Sequence, residues 1–139
     1  MKHKVLAYIT RNENAQLLVF DHQDFPEAGA QVPAGTVEDG EAVDVALWRE
    51  VEEESGLKRE QLQLAQKLAE VESQEWPTVR HVFHLVAREN LPETWTHHVH
   101  GAGEDKGLVF VYHWETLPLK IELTNNQGQW LAQIQKGLK

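Results

Sequence analysis

The chain has 139 residues and no cysteine; that length suits one domain with its own core, and the missing thiols exclude disulfides, zinc–thiolate sites and thiol catalysis. A net charge of −9 argues against gripping nucleic-acid backbones, which needs a basic stripe. The opening MKHKVLAYIT holds no apolar run long enough for a signal peptide or a membrane span, so a cytoplasmic protein with a small-molecule partner is expected, and neither a nucleic-acid polymer nor a membrane.

Along the chain, VLAYIT (Val5–Thr10) and LLVF (Leu17–Phe20) read as strands around the polar turn RNENAQ. Asp21–Ala30 is a loop broken by Pro26 and Gly29, QVP is a short extended piece, and Ala34–Gly40 is a second loop with two glycines. A helix follows over Glu41–Ser55, with Asp39 placed to cap its start and Gly56 to stop it. QKLAEVE (Gln66–Glu72) reads as a strand, and Val79–Glu89 alternates with β-branched and aromatic residues, the mark of another. Glu89–Gly107 reads as one long loop, a length usually tied to function or mobility. Leu108–Trp114 is a strand, and Asn126–Leu138, with Trp130, Leu131 and Ile134 at helical spacing, is a terminal helix. Strands on both sides of a central helix imply a mixed sheet with helices packed on it, an α/β layered domain over residues 1–139.

The central helix crowds Glu50, Glu52, Glu53 and Glu54 together. Like charges one turn apart cost a few tenths of a kcal/mol per pair. At 3.6 residues per turn, Glu50, Glu53 and Glu54 fall within an arc of about 100° and can converge, whereas Glu52 projects away. Arg49 is the i−4 neighbour of Glu53 and can hold its carboxylate. Leu47 and Val51 give the helix an apolar side beside the acidic one. Three convergent carboxylates suit a hard cation, Mg²⁺ or Mn²⁺. On clustering alone, a solvated acidic surface is the commoner explanation.

The wider pattern shifts that balance. Gly35, then Glu41, then Arg49-Glu50-Val51-Glu52-Glu53-Glu54-Ser55-Gly56-Leu57 resembles the Nudix box at every defined position. The lead-in PAGTVEDGE (Pro33–Glu41) is similar too, with Ala34 where many members carry a second glycine. The resemblance implies a loop–helix–loop on an α/β/α sandwich with a mixed sheet. It implies metal-dependent hydrolysis of a nucleoside diphosphate linked to another group. Glu50, Glu53 and Glu54 would then ligate Mg²⁺ or Mn²⁺, Gly35 would offer its carbonyl, Arg49 would orient the carboxylates, and Glu41 would support them. A general base stays open between Glu53 and Glu104, the latter in the loop before the strand Leu108–Trp114. A ligand sensor without turnover is the alternative, and the intact glutamate set argues against it. A homodimer is an expectation by family analogy alone.

Outside the box the signals are weaker. Ser73-Gln74-Glu75-Trp76-Pro77 partly resembles a signature of NADH pyrophosphatases, which hints at dinucleotides; Trp76 could stack on a base, and Arg80 follows it as a candidate substrate contact. His97-His98-Val99-His100 reads as a polar loop rather than a transition-metal site. His81 and His84 fall on opposite faces of their strand. Specificity is expected from Asp21–Gln31, Gln74–Arg80 and Pro92–Lys106.

Overall fold

The computed structural model describes residues 1–73, 77–99 and 107–136. Seven strands, β1 (Lys2–Arg11), β2 (Gln16–His22), β3 (Ala34–Thr36), β4 (Leu62–Ser73), β5 (Thr78–Ala87), β6 (Thr94–His98) and β7 (Val109–Thr116), form one mixed sheet in the order β4-β5-β1-β2-β7-β6, with β3 paired to β1 off this path. The pairing of β1 with β5 is parallel and the other strand pairings are antiparallel. Among the described residues, helix α1 (Val43–Ser55), the short α2 (Leu131–Lys136) and three 3₁₀ turns complete the regular elements.

Strand alternation sorts the core into two layers. Val5, Ala7 and Ile9 of β1 join Leu18, Phe20, Phe83, Leu85 and Tyr112 beneath Ala46, Leu47 and Val51 of α1. Leu6 and Tyr8 of β1 join Leu17, Val19 and Val82 beneath Trp130, Leu131 and Ile134 at the other end of the chain. One helix per face makes the α/β/α sandwich. On the α2 face the Tyr8 hydroxyl donates to the Gln127 carbonyl, and burial pushes the phenol up to about 12.

Several boundaries differ from the sequence reading. Ala34–Thr36 is a strand, not a loop. Beyond the hairpin β1 pairs with β2 only at its end, and Lys4, Val5 and Leu6 pair instead with Thr36, Gly35 and Ala34, so their backbone groups are satisfied. Helix α1 starts at Val43, with Ala42 as its N-cap and no side-chain cap, so Asp39 does not play that part. Glu41 is held outside the helix because its carboxylate accepts the Glu38 N–H at 2.9 Å and is also clamped by an arginine. β4 runs longer than expected, and two register irregularities broke the alternation that would have shown it.

The supposed long loop contains β6, which pairs with β7 through Trp95–Tyr112 and His97–Phe110. It is an edge strand with alternate residues exposed, so it lacks the apolar run that marks a buried strand. The terminal helix is shorter than expected: Thr124–Asn126 forms a 3₁₀ turn and α2 begins only at Leu131. Among the described residues no helix is long and apolar enough to cross a membrane.

Candidate functional site

Arg49 is the hub of the acidic helix. Its Nε and Nη2 donate to Glu41 Oε2 and Oε1 at 2.7 and 2.8 Å, a forked pair that ties the preceding loop to α1. Nη2 also donates to the Thr36 carbonyl at 3.0 Å, at the end of β3. Nη1 is shared between Glu50 Oε1 at 2.9 Å and Glu53 Oε2 at 3.2 Å. The Arg49 side chain is 24% exposed and that of Glu41 11%, so the charges meet largely out of water. The guanidinium beside Glu41 lowers its carboxyl to about 2, and the same contacts raise Arg49. One cation therefore offsets the repulsion that the helix builds in.

Backbone shape places the glutamates. A Cβ at Gly35 would overlap the Glu50 carboxylate, so glycine lets that carboxylate lie against β3. Glu54 is buried at 4% exposure, and its Oε1 accepts the Ala34 N–H at 3.0 Å. Glu52 faces outward and pairs with Lys58 at 3.0 Å. Thus Glu50, Glu53 and Glu54 share one side of α1, as the helical arc requires, but they are not drawn onto one point. Among the described residues no three acidic or histidine side chains close into a metal-holding group; Arg49 stands between Glu50 and Glu53 instead. The donor set is nonetheless that of a hard cation: carboxylate oxygens beside the backbone of a glycine that leaves room for them. These residues fit Mg²⁺ or Mn²⁺.

The other end of α1 is held differently. The last carbonyls of a helix have no intrahelical partner. Here Glu52 O accepts the Gly56 N–H at 2.9 Å, with Gly56 in the left-handed region at φ 81°. The next carbonyls in the chain, of Glu53, Glu54 and Ser55, accept His97 Nε2 at 2.8 Å, the Tyr112 hydroxyl at 2.8 Å and Trp95 Nε1 at 3.0 Å. A carbonyl only accepts, so the His97 proton sits on Nε2. The Trp95 and Tyr112 rings stack with centroids 5.0 Å apart. Sequence reasoning missed these three residues. The alternation of Thr94-Trp95-Thr96-His97 was the available signal, since it puts Trp95 and His97 on one strand face.

Other candidates are placed as follows. Trp76, Glu104 and His100 lie outside the described residues. Arg80 is not brought to the glutamates: it lies on the α2 face, donating to the Asn125 carbonyl at 3.3 Å with its guanidinium 5.8 Å from the Trp130 ring centroid. His81 and His84 are both buried on opposite faces. Lys67 Nζ donates to His81 Nδ1 at 2.9 Å, so His81 donates through Nε2 to His3 Nδ1 at 2.9 Å. His84 Nε2 meets the Thr10 hydroxyl at 2.7 Å. Burial lowers both imidazoles below the ordinary histidine value. The pairings His22–Phe110, Lys2–Thr78 and Val5–Gly35 bring the end of β2 and the starts of β5 and β7 to the sheet end that carries β3. Two surface depressions, of about 700 and about 620 Å³, lie elsewhere, against α2 and beside the β1–β2 turn, and neither includes a box residue.

Comparison with known proteins adds an independent line. The family model described as NUDIX domain matches residues 1–134. No curated relative matches the chain. Among solved structures, a C. elegans Ap4A hydrolase is similar with a TM-score of 0.69 at 19% identity, covering 97% of each chain. MutT, from work on Aliivibrio salmonicida and Vibrio cholerae, is similar with a TM-score of 0.63 at 17% identity, covering 98% of each chain. DR0079 from Deinococcus radiodurans matches with a TM-score of 0.53 at 22% identity; the alignment covers 64% of this chain and spans little more than half, 57%, of that one. At these identities the structural likeness is one of fold.

Proposed function

Because the chain belongs to the NUDIX domain family, a family of hydrolases of phosphoric anhydrides, we propose that it is a cytoplasmic pyrophosphohydrolase that depends on Mg²⁺ or Mn²⁺. Its substrate is a nucleoside diphosphate derivative of the nucleotide-sugar, dinucleotide or nucleoside triphosphate type. The observation that carries this reading is the Arg49 hub, which joins Glu41, Glu50, Glu53 and the Thr36 carbonyl beside Gly35. A helix with no ligand to hold has little reason to keep such a set and a glycine fitted to one of its carboxylates.

Glu50, Glu53, Glu54 and the Gly35 carbonyl would hold the divalent cation, which when bound supplies charge neutralisation for the diphosphate and a more acidic water. The chain's own work is positioning. Arg49 keeps the carboxylates aimed, and its fork to Glu41 ties the loop to α1. Glu53, or Glu104, takes the proton of the water that attacks phosphorus. The P–O bond of the anhydride then breaks, and the departing phosphate carries the electron pair.

The test is a panel of nucleoside diphosphate derivatives assayed with Mg²⁺ and with Mn²⁺, reading out phosphate-containing products. Turnover of at least one member, abolished by EDTA, is expected. Glu53→Gln should lose metal-dependent turnover while its circular dichroism stays that of the parent. Equal turnover in EDTA, or full activity in Glu53→Gln, would overturn the assignment.

A further inference from the structure

Glu53 and Glu54 are the two residues through which the proposed site depends on the last turn of α1, and a helix end is where a backbone frays most readily. In this chain that turn does not end in solvent. Side chains of β6 and β7 meet Glu53 O, Glu54 O and Ser55 O one after another, at 2.8, 2.8 and 3.0 Å. The donors are a histidine, a tyrosine and a tryptophan, drawn from positions 40 to 58 residues away in the chain. Their spacing is set by the hairpin: Trp95 and His97 share one face of β6, and Trp95 faces Tyr112 directly across the ladder. The His97 ring also closes over Gly56, where an added Cβ would stand 3.0 Å from Nδ1.

Each donor fixes the backbone of a residue, and a fixed backbone fixes where its Cβ points. For Glu53 and Glu54 that direction decides where the carboxylate can reach. Resting on the functional reading above, we propose that His97 and Tyr112 are positioning residues for the divalent-cation site: the β6–β7 hairpin sets Glu53 and Glu54 by holding their carbonyls, with Trp95 bracing the next carbonyl, that of Ser55, and without itself touching metal or substrate. The hairpin thereby supplies a second support for the ligands, separate from the Arg49 hub. Hydrogen bonds made to ligating side chains themselves typically change metal affinity about 10–100-fold when removed, and contacts that act one step further back, through the backbone, are expected at the lower end of that range.

The test measures Mn²⁺ binding directly, from the electron paramagnetic resonance signal of free Mn²⁺, alongside steady-state kinetics on whichever substrate the panel identifies. Tyr112→Phe removes only a hydroxyl; His97→Leu removes the ring donor; His97→Gln keeps an N–H. In Tyr112→Phe and His97→Leu the Mn²⁺ dissociation constant should rise about 10-fold and kcat should fall, with KM for the nucleotide little changed. His97→Gln should recover most of the affinity. A dissociation constant within twofold of the parent in folded Tyr112→Phe and His97→Leu overturns the proposal, as does equal loss in the Gln and Leu variants. Should His97→Leu fail to fold, the isosteric Tyr112→Phe decides alone. A parent protein that binds no Mn²⁺ defeats the functional reading and the proposal together, whereas a binding parent with unaffected variants defeats the proposal only.

Discussion

Along the box helix α1, the two regions that hold it use opposite physics. On the β3 side, Arg49 gathers Glu41, Glu50 and Glu53, all charged and all within the motif. At the C-terminal turn, ring and hydroxyl donors from a distant hairpin meet bare carbonyls. The charged support has to cancel a repulsion that the glutamates create, so it needs a full positive charge with forked geometry. The hairpin support only satisfies backbone acceptors, so any well-placed N–H or O–H serves. One region is specified by residue identity at short spacing, the other by tertiary placement.

That contrast can be pressed from both sides. Arg49→Ala should have the largest effect, since it leaves Glu41, Glu50 and Glu53 without their common cation: a loss of about 2–3 kcal/mol in urea unfolding and turnover reduced to near background. Arg49→Lys should recover stability better than activity, because a point charge cannot replace the fork. Gly35→Ala comes next. The clash is with the end of a flexible side chain, so Glu50 can swing aside; metal-dependent activity should drop by about 10-fold or more while the thermal midpoint barely moves. If the midpoint fell as far as in Arg49→Ala, the glycine would be serving the fold rather than the site.

Tyr112→Phe should cost about 1 kcal/mol, the usual net worth of one buried hydrogen bond, seen as a lower urea midpoint. A smaller effect is confined to acid. Glu41 has its carboxyl lowered from 4.5 to about 2 by Arg49, so the folded state binds its proton less readily than the unfolded chain. Its contribution is complete above pH 4.5 and lost as pH falls through about 2. Thermal midpoints of the parent should therefore decline over that window more steeply than those of Glu41→Gln. The smallest effect belongs to a pair outside both regions: Glu93→Gln, which breaks the surface pair with Arg11 at 2.7 Å, should leave the midpoint unchanged.

The sequence by itself determined α1, the arc that carries Glu50, Glu53 and Glu54, the Arg49–Glu53 contact and the strands of the central core. Each is written in spacings of a few residues, where helical or strand periodicity translates directly into a face. Only the tertiary structure decided the rest. β3 exists because β1 would otherwise leave backbone groups unpaired where β2 diverges. β6 is a strand because β7 offers it an edge, and an edge strand buries too little to carry an apolar signature. Arg80 went to the α2 face by its place in the strand alternation of β5. The capping of Glu53, Glu54 and Ser55 by His97, Tyr112 and Trp95 joins side chains to carbonyl oxygens that every residue possesses. Only the folding of the hairpin onto the helix selects which carbonyls those are.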